Sequence, residues 1–357
     1  MINSRGPTAA EQVAFLGQIE RLLSEGQFVA TYKYALLVAI ADLAVQFGSD
    51  AGSELDLPVR SIAEKFIELY WRQCAPYGNV VAEGGYGVPI QSTGQQASII
   101  SIVAKLRERH GSLVMSRQAP DWKRAVTEAS QLIEKMPLWR LQVLRKETLD
   151  FLYSKSPTKG HIRLKWGVAA NLRRFHGMII RLAQSEWLRF IQALPGNAVL
   201  LGATSDLGQF LFGAERSGLI RMAEPLTELQ HGLCLYCQRH ASSGEVDHFV
   251  PWSRYPRDLA HNLVLAHKDC NRNKSDLLAA EVHLERWLQR NSDYDSAIGE
   301  AGRRASIIVD RPAAVNVAAW AYAHGTELGA SAWLSGDTVE PLTGRWRTML
   351  APHRAVP

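Results

Sequence analysis

Over roughly the first 220 residues, apolar side chains recur every three to four positions, and the segments that carry this pattern end at recognisable caps. One predicted helix spans 31–48 and closes on glycine and serine. A second, 56–73, opens on Asp56 as an N-cap with Pro58 just inside it. A third, 92–111, begins at Ser92 and Thr93, carries Arg107, Arg109 and His110 in its last turn, and stops at Gly111. Residues 122–152 and 168–193 supply further helical stretches. Between the second and third helices, PYGNVVAEGGYGVPIQ lacks the Gly-Lys-Ser/Thr ending of a phosphate loop and reads as a turn-rich connection. No fixed-period repeat interrupts this region.

The pattern changes at EVDHFVPW, residues 245–252, a short strand whose bulk comes from Val246, Phe249, Val250 and Trp252. Asp247 and His248 sit side by side inside it. Successive strand side chains point to opposite faces, so at least one of the two faces the interior or a crevice and needs a partner there. Cysteine spacing offers one kind of partner. Of four cysteines, Cys234, Cys237 and Cys270 fall within 37 residues, and Cys234-x2-Cys237 is echoed by His267-x2-Cys270. Three thiolates and an imidazole make a closed tetrahedral zinc set with no open position, which predicts a structural zinc. His240 is an alternative fourth ligand with a less regular spacing. Cys74 stands alone and reads as a small core residue.

The 357 residues allow two or more domains. The fold expected is α+β, mainly α: a helical N-terminal domain over 1–221, a zinc-stabilised domain over 222–290, and a helical C-terminal extension over 291–357. Ten tryptophans are present, and those at helical spacing, such as Trp187 and Trp287, read as core.

Charge is mild overall, with 40 Lys and Arg against 35 Asp and Glu, but uneven along the chain. Residues 140–190 hold eleven basic and three acidic residues, whereas 1–70 hold five and nine. Lys155, Lys159, Arg163, Lys165, Arg173 and Arg174 are therefore candidates for tracking a phosphate backbone, against the plainer reading of a solvated helix face. The start of the chain shows no cleavable signal pattern, and the most apolar run, eight uncharged residues after Lys33, is far short of the ~20 that a membrane span needs. A cytoplasmic protein with no membrane partner is expected.

The segment CLYCQRHASSGEVDHFVPWSRYPRDLAHNLVLAHKDCNRNKSD resembles the HNH endonuclease family, whose ββα-metal site is two strands followed by a helix. The likeness rests on the knuckle, the DH pair before an apolar-Pro segment, NLVLAH, and CNRNKSD, and covers about 45 residues. It implies that His248 is a general base, that Asp247 and Asn271 hold a divalent cation, and that Asn262 pins the loop between them. Asn271 stands where many members have His; a similar NRGKSD ending occurs in the HNH domain of CRISPR effector nucleases. A neutral amide oxygen suits Mg2+ or Mn2+ better than imidazole would. His267 likewise replaces the commoner cysteine of the second knuckle.

The chemistry asks for the same residue types. Hydrolysing a phosphodiester needs a deprotonated water and charge stabilisation on the phosphoryl and leaving oxygens, which a histidine and a cation supply. Arg254, Arg257, Arg272 and Lys274 flank the motif as further phosphate contacts. The expectation is a metal-dependent endonuclease acting on DNA, with RNA also open. The resemblance adds a setting in bacterial restriction or phage defence, with partner proteins of such a system. The alternative is a non-catalytic, zinc-stabilised nucleic-acid-binding or scaffold protein.

Overall fold

The structure, a computed structural model, describes residues 6–77, 87–145, 147–201, 206–213 and 216–354. The chain forms two compact units, Met1–Gly213 and Ala214–Pro357. Helices dominate both and the sheets are small, which is the α+β, mainly α class expected. The turn-rich connection predicted before the third helix lies largely at 78–86, outside the described residues.

The first unit is built around the helix Tyr32–Phe47, buried along nearly its whole length because it is apolar on every side. Helices Val59–Tyr70, Val168–Arg174 and His176–Ala193 pack against it. Its one acidic residue, Asp42, accepts a hydrogen bond from His176 Nε2 at 2.8 Å, so a buried carboxylate inside an apolar helix has its partner. Trp187 and Cys74 are in the core, and burial pushes the Cys74 thiol up to about 11.

Several boundaries differ from the sequence reading, each for a local reason. Asp56 and Pro58 do not start a helix: Leu55–Pro58 is a strand, β1, and the helix begins at Val59. The basic stretch after residue 150 forms β2 (Tyr153–Lys155) and β3 (His161–Leu164), giving an antiparallel sheet of order β1-β3-β2. Asp56 lies opposite Arg163, and the guanidinium donates to the carboxylate at 2.8 and 2.7 Å, which fixes the register. The helix expected over 122–152 ends at Lys135, just before Pro137, and Gln142 receives the backbone N–H groups of Leu152 and Phe151 to turn the chain into β2. The helix expected over 92–111 starts only at Ser98, after Gln96 Oε1 accepts from the amides of Gln91 and Ala97. Residues 168–193 are broken at Phe175 into two helices.

The second unit opens with the helix Arg216–Leu229 and the cysteine knuckle. Then come β4 (Glu245–His248), β5 (Leu263–Ala266) and the helix Lys268–Lys274. β4 stops four residues short of the predicted end; Phe249 still bonds back to Asn262, but Pro251 has no N–H to continue a ladder. β4 and β5 are antiparallel, with Asp247 opposite Val264 and His248 opposite Leu263. Every residue of β5 is buried, and its outer edge is closed, with no third strand among the described residues, by side chains and by one backbone bond from Leu235 N to Leu265 O at 3.0 Å. Gln230 accepts from Leu265 N at 2.8 Å and donates to Leu265 O at 3.0 Å, while Arg290 donates to Leu263 O at 2.7 Å. Trp287, in the helix Glu281–Asp293, stacks on Phe249 with ring centroids 4.8 Å apart and donates to His261 O. The part after residue 290 belongs to the same compact unit. Besides the helices Asp295–Ala305 and Arg311–Glu327, it carries a hairpin of β6 (Ser331–Ser335) and β7 (Thr338–Pro341). No helix among the described residues is long and apolar enough to cross a membrane.

Candidate metal centre and active site

Cys234, Cys237, His267 and Cys270 converge, with their ligand atoms all within 4.8 Å of one another. The first two come from a tight turn in which Cys234 N bonds to Arg239 O and Gln238 takes a left-handed φ of 56°. The other two come from the N-cap and third residue of the helix Lys268–Lys274. His267 Nε2 bonds to the His240 carbonyl at 2.9 Å, which places its proton there and leaves Nδ1 facing the Cys237 sulfur at 3.1 Å. His240 is therefore not in the cluster: its own Nδ1 bonds to Gly232 O at 2.9 Å, and it acts through its carbonyl. Burial opposes ionisation of Cys237, but hydrogen bonds from Arg239, foremost from its backbone, bring its thiol down to about 6. Burial and the two neighbouring sulfurs push Cys270 up to about 12. Three crowded thiols that cannot all ionise without a cation, beside an imidazole already in the ligating tautomer, are a donor set that fits tetrahedral zinc.

Asp247 is buried. Its carboxylate accepts from Tyr236 Oη at 2.5 Å and pairs with Lys274 Nζ at 3.0 Å. Tyr236 lies between the two knuckle cysteines, so the metal-binding turn and the carboxylate are one hydrogen bond apart. Lys274, read from sequence as a phosphate contact, is corrected here: it is fully buried and also donates to the His248 carbonyl at 3.1 Å. It lies three residues after Asn271 and hence on the same helix face, turned toward β4. Asn271 donates through Nδ2 to Glu245 Oε2 at 3.2 Å, two positions before Asp247 on the same face of β4.

His248 is half-buried. Its Nε2 bonds to Asp258 Oδ1 at 2.7 Å, and its ring lies 5.4 Å from that of Trp252. Asp258 was not picked out from sequence; it sits ten residues downstream in an irregular loop. Asn262, at the end of the turn Ala260–Asn262, accepts from Val250 N at 2.8 Å and donates to Val250 O at 2.9 Å. Both ends of one buried backbone residue are held by one amide, and leaving either unsatisfied costs about 1–3 kcal/mol. The bend after β4 is thereby fixed.

Asp247, Glu245 and the Asn271 amide thus bring oxygen atoms together between β4 and the helix Lys268–Lys274. Hard oxygen ligands of this kind suit magnesium, and the Asp247 carboxylate already stabilises positive charge in the form of the Lys274 ammonium.

Of the basic candidates, Arg173 is also corrected. It is buried, with its guanidinium on Asp50 at 2.5 Å and on Val45 O at 2.7 Å, and serves the first unit's core. Arg163 is held by Asp56, and Lys165 pairs with Asp150 at 2.7 Å. Lys155 and Lys159 are exposed, Lys155 lying 5.2 Å from the Trp139 ring. Arg174 is half-buried. Arg254 donates to Asp276 O at 3.3 Å, Arg257 to Pro256 O at 3.0 Å, and exposed Arg272 pairs with Asp269.

Two family models match the chain. One, described as HNH endonuclease, covers residues 234–277, the knuckle, both strands and the helix that follows. The other, described as Domain of unknown function (DUF8808), covers residues 12–207, nearly all of the helical first unit. No match was found among curated proteins or solved structures. Because the second model spans more than half of the 357 residues, the chain belongs to the family of that domain of unknown function, and its second unit carries an HNH endonuclease domain with a Cys3His group compatible with zinc.

Proposed function

We propose that the protein is a magnesium-dependent endonuclease that hydrolyses phosphodiester bonds of DNA, with the segment 222–290 as its catalytic body. The observation that carries this reading is the His248–Asp258 pair at the end of β4. With its Nε2 proton committed to Asp258, the His248 ring keeps Nδ1 as an acceptor, which is what a base taking a proton from water requires. Asp247 and Asn271 would hold the cation, which when bound supplies charge for the phosphoryl and leaving oxygens. Tyr236 and Lys274 hold the Asp247 carboxylate in place. Asn262 fixes the bend between His248 and Asp258 and so brings the pair together.

The test is incubation of purified protein with supercoiled DNA, linear DNA, single strands and RNA, each with magnesium and with chelator. Magnesium-dependent cleavage of DNA is expected; cleavage of RNA alone would move the substrate, and no cleavage of any would leave the second reading. That second reading, a zinc-stabilised nucleic-acid-binding module, is favoured by one observation: Asp247 already has a full ion-pair partner in Lys274.

The exposed cations of the first unit are proposed to add affinity without chemistry. Lys155 and Lys159 carry this role, because Arg163 and Lys165 are already paired. Replacing both with glutamine should reduce the slope of log affinity against log salt by about 2 on duplex DNA, close to one released counterion per lost contact. Arg173→Gln should instead lower stability and leave the slope where it was. An unchanged slope in the double variant would show that these lysines are solvated only. The cytoplasmic setting and a role in restriction or phage defence belong to the same proposal. Phage plating on a bacterial host that expresses the protein should fall, and should recover with His248→Ala.

A further inference from the structure

The first unit contains a cavity of about 210 Å3, lined by that unit's own residues. It lies at the start of the helix Tyr32–Phe47, and Tyr32, Lys33, Val29, Met136, Arg140 and Val143 are among the residues around it. Apolar and aromatic surface makes up most of the wall. The charged groups are of one sign.

Lys33 is the unusual member, 8% exposed and therefore removed from water. Its ammonium donates to the Val143 carbonyl at 3.2 Å and stands 5.3 Å from the Phe28 ring centroid. A backbone dipole and a ring face are weak compensation for a desolvated cation. Among the described residues no carboxylate pairs with Lys33 or with Arg140. Burial first, and the like charge of Arg140 second, lower the Lys33 ammonium to about 8. Elsewhere in this unit buried charges are matched, as Arg173 is by Asp50 and His176 by Asp42. Here two cations face one cavity with no carboxylate paired to either among the described residues.

The helix end adds to the same polarity. Thr31, at the N-cap, makes no side-chain cap because its hydroxyl bonds to Tyr70 Oη at 2.6 Å. The positive end of a 16-residue helix is thus left without a side-chain cap beside the cavity that Lys33 and Arg140 line.

We propose that this cavity is a binding site for a small organic anion, a carboxylate or phosphate monoester carried on one ring or a short acyl chain. The anion would lie between Lys33 and Arg140, and the body against Tyr32, Met136 and Val29. Size sets the limit on the body: an apolar cavity of ~150 Å3 already accepts benzene, while drug-sized ligands use ~300 Å3 or more. The proposal concerns the domain of unknown function and does not depend on the nuclease reading.

Isothermal titration of the full chain with benzoate, phenyl phosphate and neutral benzamide tests it. At least one of the two anions should bind, and benzamide should bind at least about tenfold more weakly. Arg140→Ala, at an exposed position whose loss leaves the core untouched, should weaken the anion roughly tenfold to a hundredfold, the range for a charged hydrogen bond. Lys33→Met should do the same. Arg109→Ala, paired with Asp121 away from the cavity, should bind as wild type does. The site is refuted if neither anion binds, if benzamide binds as well as they do, or if Arg140→Ala retains full affinity.

Discussion

His248→Ala should fold, keep its zinc and lose about 10² to 10⁴ in cleavage rate, the usual contribution of a positioned general base. Folding should survive because His248 is half-buried at a strand end and its ring contacts are with Trp252 and Asp258, not with the packed interior of β5. The substitution frees Asp258, which is itself only partly buried and can take water as a partner. Asp258→Asn separates the two roles of the pair. An amide in place of the carboxylate can donate to Nε2 and so favour the opposite tautomer, with the proton on Nδ1. That variant should lose part of the same factor, and its activity should recover more in Asp258→Glu than in Asp258→Ala. Plasmid cleavage under single-turnover conditions reads all four proteins. Wild-type rates in His248→Ala would remove the catalytic assignment, and wild-type rates in Asp258→Asn would remove the orienting one.

How much of this was legible in the sequence depended on whether residue identity or spatial neighbourhood carried the information. The metal ligands were readable because sulfur and imidazole at repeated x2 spacing have few other uses, and the structure gathers the same four residues. His248 and Asp247 were readable as a misfit, two polar residues within an apolar strand. Asp258 was not: it lies in RYPRDL, a stretch with no periodicity, and only the bend held by Asn262 brings it to His248. Lys274 misled for the opposite reason. In NRNKSD it looks like one more surface cation, and its burial follows from helical phase against β4, which composition does not encode. The sheet of the first unit was missed because strands of three and four residues show too few alternations to stand out. Its register partners Asp56 and Arg163 are also 107 positions apart. A local charge excess there read as a nucleic-acid surface, while Asp50, Asp56 and Asp150 pair with three of its six candidate cations.

Cys237→Ser and Asn271→Ala should fail in different ways, although Asn271 is the immediate neighbour of the metal ligand Cys270. Structural zinc is worth ~10–16 kcal/mol in small finger peptides, and the whole net stability of a domain is ~5–15 kcal/mol. Losing one thiolate should therefore lower zinc content, melting temperature and soluble yield together. The two remaining thiols and His267 would still crowd one another without a full tetrahedral partner. Activity should go as well, through a specific link: Tyr236, inside the knuckle, holds Asp247 by a 2.5 Å hydrogen bond, so a knuckle that opens releases the carboxylate. Asn271 has no such burden. Its side chain is half-buried and its one described bond is to Glu245, so alanine there should leave the melting temperature and one bound zinc nearly intact. The loss should fall on magnesium-dependent cleavage, by about 10²-fold or more if several kcal/mol of transition-state charge stabilisation depend on the cation it helps hold. Tyr236→Phe lies between the two, keeping all four zinc ligands while removing the bond to Asp247. It should retain zinc, melt slightly lower and cleave more slowly. Elemental analysis, thermal melts and plasmid nicking on the same three variants decide the matter. Zinc lost from Asn271→Ala, or a wild-type melt with full zinc in Cys237→Ser, would mean that the ligands have been divided wrongly between the two sites.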